Sequence, residues 1–169
     1  MKRLAGLLLL SAALLSAFWV LRARGADSDE TQIHNLLDRW TKAFEAKDVN
    51  GVMAIYAPGQ ELLAYDVVPP LQYAGFDAYK KDYQEFFDGF DGPVHIEFRN
   101  LKITTGGAVA FATALERVSG KMKNGQNFDA WLRATECYRK INGRWLAVHD
   151  HISAPTDFAT GKAALNLKP

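Results

Sequence analysis

The 169-residue sequence has a single cysteine, Cys137, and no large excess of charge of either sign. One cysteine cannot form an intramolecular disulfide, so the fold does not depend on one. The chain also lacks the cysteine and histidine spacings of zinc sites and the glycine-rich loops that bind phosphate groups. It has no cluster of lysine and arginine with interleaved aromatic residues, which argues against a nucleic-acid partner. We therefore expect neither nucleic acid nor a cofactor to bind.

The N-terminus has the pattern of a secretory leader. Lys2 and Arg3 precede an uncharged run of 18 residues, Leu4–Leu21, and Ala23-Arg24-Gly25 follows as a small-x-small cleavage site. The sequence predicts a signal peptide over residues 1–26 and a protein that is exported, either periplasmic or secreted. The run also reaches the lower limit for crossing a bilayer, so an uncleaved membrane anchor is the alternative. Removing the leader with its four basic residues leaves 16 basic against 19 acidic residues.

Apolar residues at helical spacing predict three helices in the first half of the exported chain. The first covers about residues 29–47, with an apolar stripe of Ile33, Leu36, Leu37, Trp40 and Phe44. The second follows Asp48, a good N-cap, and ends at Pro58-Gly59. A short strand over residues 61–66 comes next, and the third helix covers residues 76–87.

Four strand-like runs fill the rest of the chain: residues 94–104, 109–119, 126–140 and 144–155. Gly106-Gly107, Asn124-Gly125 and Asn142-Gly143 separate them, and such pairs are typical of hairpin turns. Helices followed by a meander predict an α+β fold, in which a curved antiparallel sheet wraps around the N-terminal helices. Because long strands make a sheet curl, the resulting cone should enclose a pocket. We expect one domain over residues 27–155 and a C-terminal tail, residues 156–169, without an assigned role.

The last hairpin determines which side chains face that pocket. If Asn142-Gly143 forms a two-residue type I′ turn, the cross-strand pairs follow by counting outward from it. Glu136 then lies opposite His149. One face of the sheet carries Glu136, Trp145, His149 and His151.

The same count through Asn124-Gly125 pairs Arg117 with Leu132 and places Arg117 on the face of Glu136. A charge ladder on the opposite, external face would then consist of Glu116, Arg133 and Asp150. A β-bulge in any of these long strands would exchange the two faces beyond it.

The order of these elements resembles the nuclear transport factor two-like superfamily. Two features carry the resemblance: Asp66 follows the short strand, and the last strand contains G-R-W-L-A-V-H-D-H-I-S-A-P. Within the superfamily, the resemblance is to the SnoaL-like and ketosteroid-isomerase-like branch, and it covers about residues 29–155. The last strand is also similar to the association domain of calcium/calmodulin-dependent kinase. The superfamily includes isomerases, cyclases, dehydratases and domains that only bind or assemble, so its fold does not determine a function.

The resemblance implies roles for individual residues. Asp66 falls where the isomerases hold their general-base aspartate, and Glu136 falls near their protonated oxyanion-hole acid. Trp40 stands where they have a tyrosine; an indole N–H can donate one hydrogen bond but is a weaker acid than a phenol.

The similarity to the kinase association domain implies a second set of roles. Arg117 matches a pocket arginine, and His149 and His151 match its two histidines. His149, His151 and Glu136 would also make a three-ligand set for a metal ion. A guanidinium facing the same cavity disfavours a divalent cation and favours an anionic group, so we expect no metal.

Together these residues predict a pocket for a small apolar or aromatic molecule that carries an anionic group. Asp66, His149 and Glu136 are the predicted proton-transfer groups. The predicted ligand-binding side chains are Arg117, His151, Trp40, Tyr56, Tyr138 and Trp145. The predicted activity is that of a cofactor-independent isomerase, dehydratase or cyclase. The alternative is a non-catalytic binding or assembly module. We expect a homodimer; in the case of a binding or assembly module, the dimer would form through the outer sheet face and bury Trp131, Val148 and Ile152.

Overall fold

The computed structural model describes residues 28–169. The predicted signal peptide or anchor, residues 1–26, lies outside this part of the chain, so the leader and the export of the protein stay predictions. Within residues 28–169, no helix is both long enough and apolar enough to cross a membrane.

Three α-helices and a 3₁₀ turn come before the long strands. They are α1, Asp29–Glu45; α2, Val49–Met53; the 3₁₀ turn, Gly59–Glu61; and α3, Phe76–Asp88. The side chains of Ser28 and Asp48 cap α1 and α2 by accepting from the N–H groups of Thr31 at 3.1 Å and Gly51 at 3.0 Å. The first and third helices end within two residues of their predicted bounds.

A six-stranded curved sheet forms the other layer. Its strands are β1, Leu63–Tyr65; β2, Tyr73–Ala74; β3, Phe90–Gly106; β4, Val109–Met122; β5, Asn127–Ile141; and β6, Arg144–Ser153. Their order is β2-β1-β6-β5-β4-β3, and every pair is antiparallel except β1 with β6. The predicted α+β class is confirmed, although the sheet is mixed because β1 adds to β6 in parallel. A separate hairpin, β7 (Thr156–Asp157) with β8 (Lys162–Ala163), follows.

The core lies between the helices and the inner face of this sheet. The helices bury aromatic and aliphatic stripes: Ile33, Leu36, Leu37, Trp40 and Phe44 on α1, and Tyr79, Tyr83 and Phe87 on α3. The ring of Phe44 lies 5.0 Å from Trp40 and 5.1 Å from Phe87, so aromatic contacts join the two helices.

The turn between β5 and β6 has the predicted form. Asn142 and Gly143 have φ angles of 51° and 79°, which a type I′ turn requires. Outward from this turn, Tyr138 pairs with Ala147, as counted from the sequence.

Beyond that pair, β6 contains a β-bulge. The next pair is Cys137 with His149, which leaves Val148 as an extra residue. Because side chains alternate along a strand, one extra residue turns all later ones to the opposite face. Glu136 therefore pairs with Asp150, and the predicted pair of Glu136 with His149 is wrong.

The loop between β4 and β5 also differs from the prediction, because it has three residues rather than two. The N–H of Gly125, whose φ is 85°, donates to the carbonyl oxygen of Met122 at 2.9 Å. A type I turn followed by a glycine at positive φ is a common three-residue hairpin loop, so Asn-Gly suits either length. The register shifts by one, and Glu116 rather than Arg117 pairs with Leu132.

Gly120 marks a crowded crossing of β4 with β3. A Cβ at this position would lie 2.9 Å from Cδ1 of Phe90 and 3.0 Å from the carbonyl oxygen of Pro93. Because a backbone oxygen cannot move aside cheaply, we expect Gly120→Ala to lower the free energy of unfolding by about 1–3 kcal/mol in urea denaturation. Gly106→Ala is the control, since the nearest atom there is 3.9 Å away. Equal losses in the two variants would contradict the crowding.

Candidate functional site

A cavity of about 900 Å³ lies between the helices and the inner face of the sheet. Its walls are largely apolar and aromatic: Trp40, Phe44, Tyr79, Tyr83, Phe86, Phe90, Val118, Phe128, Leu132 and Ile152. Its charged groups are mainly carboxyl groups: Asp66, Asp82, Glu85, Glu116, Glu136 and Asp150. This size and lining suit a small organic molecule.

Asp150 is the most deeply buried of these carboxyl groups, with 1% of the residue exposed. Its Oδ2 accepts hydrogen bonds from the hydroxyl groups of Tyr56 at 2.9 Å and Tyr79 at 2.8 Å. Its Oδ1 has no hydrogen-bond partner among residues 28–169. Burial raises the pKa of Asp150, while the two tyrosines act in the opposite direction. The carboxyl group is thus held in one orientation and protonates more readily than an exposed aspartate.

Glu136 lies across from Asp150 on β5 and accepts a hydrogen bond from the hydroxyl of Tyr138. Burial, and then the neighbouring Asp150, raise the pKa of Glu136 to about 8. Near neutral pH the Glu136 carboxyl is therefore mostly protonated and can donate a hydrogen bond or a proton.

Glu116 supplies a third carboxyl group from the adjacent strand β4. It is buried, and burial followed by the charge of Asp150 raises its pKa well above the ordinary value. Three neighbouring strands, β4, β5 and β6, thus each direct one carboxyl group toward the inner face of the sheet.

Asp66 lies at the cavity wall directly after β1. The β1 residue Ala64 pairs with Asp150, which brings Asp66 to the carboxyl-rich side of the cavity. Burial, and then the charge of Asp82 on α3, raise the pKa of Asp66 to about 7. Burial also raises the pKa of Asp82. Asp66 can therefore both accept and donate a proton near neutrality.

The two histidines lie on the other face of β6. Nδ1 of His149 is 2.8 Å from the carbonyl oxygen of Leu63, and the residue lines a shallower outer groove of about 630 Å³. The ring of Tyr65 packs edge-on against both imidazoles, with centroids 4.9 Å from His149 and 5.6 Å from His151. His151 is exposed and reaches the cavity rim. The predicted meeting of both imidazoles with Glu136 on one face is wrong, because the β-bulge intervenes.

No group of three or more His, Cys, Asp or Glu side chains within residues 28–169 is arranged to hold a metal ion. The three-ligand set considered above, His149, His151 and Glu136, is divided between the two faces of the sheet.

Arg117 lies on the outer face of the sheet. Its guanidinium donates to both carboxylate oxygens of Asp129, at 2.8 and 2.9 Å, and lies 3.5 Å from Glu97. The predicted placement of Arg117 in the cavity is wrong, because the three-residue loop turns it outward. For the same reason Glu116 is internal, and together with the inward Asp150 this removes the predicted external charge ladder.

The predicted aromatic residues occupy different places. Trp40 lines the cavity, and its buried indole N–H has no partner in the described part of the chain. Tyr56 and Tyr138 are buried and orient the carboxyl groups described above. Trp145 lies near the start of α1, where its indole N–H donates to Oδ1 of Asp29 at 3.0 Å.

The three residues predicted to form a dimer surface do not share a face. Ile152 lines the cavity, and Trp131 is only 7% exposed beneath the guanidinium of Arg99, 4.8 Å from its ring centroid. The predicted dimer surface is therefore wrong. The homodimer itself stays a prediction.

The C-terminal tail contributes to the site, although the sequence assigned it no role. The N–H of Ala164 donates to the carbonyl oxygen of Pro155 at 2.8 Å, and Ala163 and Leu165 line the cavity. The tail is therefore part of the cavity wall.

Sequence reasoning missed Glu116, Asp150 and Asp82. Treating the β4–β5 loop as a three-residue turn would have found Glu116. Asp82 could have been found from its position three residues after the buried Tyr79, a spacing that puts both side chains on one side of α3. No local pattern in the sequence indicates the bulge that brings Asp150 inward.

Comparison with known proteins places this architecture in a family. Residues 33–157 match the SnoaL-like domain. An NTF2-like protein of unknown function from Pseudomonas putida KT2440 is 32% identical; the match covers 85% of this chain and 99% of that one, with a TM-score of 0.77. None of the curated proteins matches the sequence.

Two more distant structures show the fold alone. A presumed calcium/calmodulin dependent protein kinase II association domain from Xanthomonas campestris is 21% identical, covering 78% of this chain and 91% of that one, with a TM-score of 0.65. A presumed scytalone dehydratase from Novosphingobium aromaticivorans is 13% identical, covering 73% and 82%, also with a TM-score of 0.65. Both parts of the predicted resemblance, to the SnoaL-like branch and to the kinase association domain, thus have structural counterparts. With its family match over most of the described residues and its cone-shaped α+β fold, the chain belongs to the SnoaL-like domain family.

Proposed function

We propose that this protein binds a small, largely apolar molecule in the cavity and performs cofactor-independent acid–base chemistry on it, as an isomerase or dehydratase. The observation that supports this most strongly is the set of carboxyl groups inside an apolar cavity, two of which have a pKa of about 7 and about 8. Groups that titrate near the working pH can take a proton and return it within one catalytic cycle.

Asp66 is the proposed general base. With its pKa near 7, a substantial fraction of Asp66 is ionised at neutral pH and can remove a proton from a carbon next to a carbonyl group. Glu136 is the proposed acid, and the hydroxyl of Tyr138 orients it. The free indole N–H of Trp40 is a further donor for a substrate oxygen. His149 and Arg117 have no part in this proposal, because both lie outside the cavity.

These groups suffice for two related reactions. In an isomerisation, Asp66 takes a proton from one carbon of a ketone and returns it to another, while donors stabilise the enolate oxygen. In a dehydration, Asp66 takes the carbon-bound proton and Glu136 protonates the departing hydroxyl, which leaves as water. The fold-level likeness to a presumed scytalone dehydratase agrees with the second reaction without establishing it.

A probe that requires only a base in an apolar pocket can test the proposal. 5-Nitrobenzisoxazole loses its C3 proton to a base while its N–O bond opens to give a cyanophenolate. We expect turnover that rises with pH to a plateau above an apparent pKa near 7, because the base must be ionised. Asp66→Asn should lower kcat/KM at least about tenfold, measured by cyanophenolate absorbance.

The control is Asp38→Asn, which changes an exposed aspartate of α1 and should leave the rate unchanged. If Asp66→Asn retains the full rate, or if the rate is independent of pH, the acid–base proposal fails. The non-catalytic binding module would then be the better description.

A further inference from the structure

The charges that line the cavity are of one sign. Six lining residues are Asp or Glu, and none of the described lining residues is Lys or Arg. His151, at the rim, is the only histidine among the described residues that line the cavity. A ligand with an anionic group would meet no opposite charge inside, whereas a cation would meet several carboxyl groups.

A second, independent feature is the unpartnered oxygen of Asp150. Oδ2 of this carboxyl group accepts from Tyr56 and Tyr79, but Oδ1 has no partner within the described chain, although the residue is 1% exposed. A buried acceptor without a donor destabilises the folded protein. A donor brought by a ligand in the cavity would remove that destabilisation.

The aromatic walls add a third reason. The rings of Tyr79 and Tyr83 lie 4.8 Å apart, and Trp40 and Tyr73 also line the cavity. Aromatic faces attract an ammonium group and accept an apolar body equally well. Carboxylate and aromatic rings together are the usual surroundings of a bound amine.

We propose that the cavity selects an apolar, ring-containing molecule that bears a protonated amine, with the ammonium group paired to Oδ1 of Asp150. This proposal names the substrate class of the site, and its relevance to catalysis rests on the proposed function. The ammonium group supplies the missing donor and the missing positive charge together, which neither a neutral nor an anionic ligand does.

Binding of such a ligand should be linked to pH. An ammonium group favours the ionised form of Asp150, whose pKa burial raises, so the affinity should rise with pH until Asp150 is ionised in the free protein. The titratable groups that interact with Asp150 from the neighbouring elements are Tyr56, Asp66, Tyr79, Tyr83, Glu116, Glu136, Cys137, Tyr138 and, on its own strand, His149. Burial disfavours the ionised Asp150, whereas the hydrogen bonds from Tyr79 and Tyr56 and the neighbouring His149 favour it, and an ammonium group would act in the same direction as these three.

Three naphthalenes of similar size test the proposal in titration calorimetry with the full chain at pH 7.5. They are 1-naphthylmethylamine, 1-naphthylmethanol and 1-naphthoate, which are cationic, neutral and anionic. We expect the amine to bind at least about tenfold more tightly than the other two. Equal affinity of the amine and the alcohol, tighter binding of 1-naphthoate, or no binding of any of the three would overturn the proposal.

Asp150→Asn is the informative variant, because asparagine keeps the shape and the acceptor for the two tyrosines but cannot ionise. It should reduce the preference for the amine over the alcohol to less than about threefold. Asp129→Asn, on the outer face, should change neither affinity. The calorimetry requires no turnover: amine selectivity without proton abstraction from the benzisoxazole would refute the proposed function alone, and the reverse would refute this inference alone.

Discussion

Between pH 5 and pH 8 the protein should lose about 6 kcal/mol of its free energy of unfolding. In the unfolded chain, Asp66 and Glu136 return to ordinary pKa values of 3.8 and 4.5, whereas in the folded chain their pKa values are about 7 and about 8. Over this interval the folded state binds more protons than the unfolded state, so stability falls as the pH rises. The raised pKa values of Glu116 and Asp150 act in the same direction.

The exposed acids do not reverse this trend. The pKa values of Glu97 and Asp129 are lowered, first by their hydrogen bonds to Arg99 and Arg117 respectively, so the stability they contribute is lost only as the pH falls through the acidic range. Above pH 5 that contribution is already almost complete.

Urea denaturation at pH 5, 6, 7 and 8 measures the slope. Glu136→Gln should flatten it, because glutamine does not titrate, and Glu97→Gln should leave the slope above pH 5 unchanged. Stability that is constant or rises from pH 5 to pH 8 would show that the cavity carboxyl groups ionise normally in the folded protein.

Replacing Asp150 with alanine should cost about 3 kcal/mol of the free energy of unfolding. The change removes the acceptor of two buried tyrosine hydroxyl groups, those of Tyr56 and Tyr79, at 2.9 and 2.8 Å. Both hydroxyl groups then lose this acceptor in a place that water reaches poorly, although that of Tyr56 stays 2.9 Å from the hydroxyl of Tyr83, and a small cavity remains.

Asparagine at the same position should cost only about 1 kcal/mol, because its carbonyl oxygen can still accept from both tyrosines. Tyr79→Phe, which removes one of the two donors, should lie in the same range. Asp38→Ala, at an exposed position of α1, should change stability by less than about 0.5 kcal/mol. If Asp150→Ala and Asp150→Asn are equally stable in chemical denaturation, the tyrosine bonds do not stabilise the fold.

Much of the architecture could be predicted from the sequence because its determinants are local. The spacing of the apolar residues from Ile33 to Phe44 is compatible only with a helix. The predicted N-cap, Asp48, accepts the expected hydrogen bond from the N–H of Gly51. Asn142-Gly143 likewise gives the predicted turn. The parallel pairing of β1 with β6 joins segments that are distant in the sequence, and no local pattern records it.

The site was harder to predict. It depends on which face of the sheet each side chain occupies at positions far from the turns, where one extra residue exchanges the two faces. Asp66 and Glu136 were placed in the cavity from the resemblance and from counting, and both line it. Arg117 and His149 were placed on the wrong face of the sheet. In each case the count missed one residue: the third residue of the β4–β5 loop for Arg117, and the bulge residue Val148 for His149. Asp150 was expected outside because the count from the Asn142-Gly143 turn, which contained no bulge, placed it on the face opposite Glu136. Its internal position is stabilised by two tyrosines that are distant in the sequence.

The extra residue at Val148 has a consequence for comparing this protein with its relatives. Before Val148, the odd-numbered residues of β6 face inward; after it, the even-numbered ones do. A sequence alignment without a gap at Val148 therefore matches inward-facing residues of one protein with outward-facing residues of the other. A relative that lacks the residue would turn its imidazoles inward and its aspartate outward with almost no change in sequence identity. Transfer of activity between such relatives should therefore rest on strand register rather than on shared residue types.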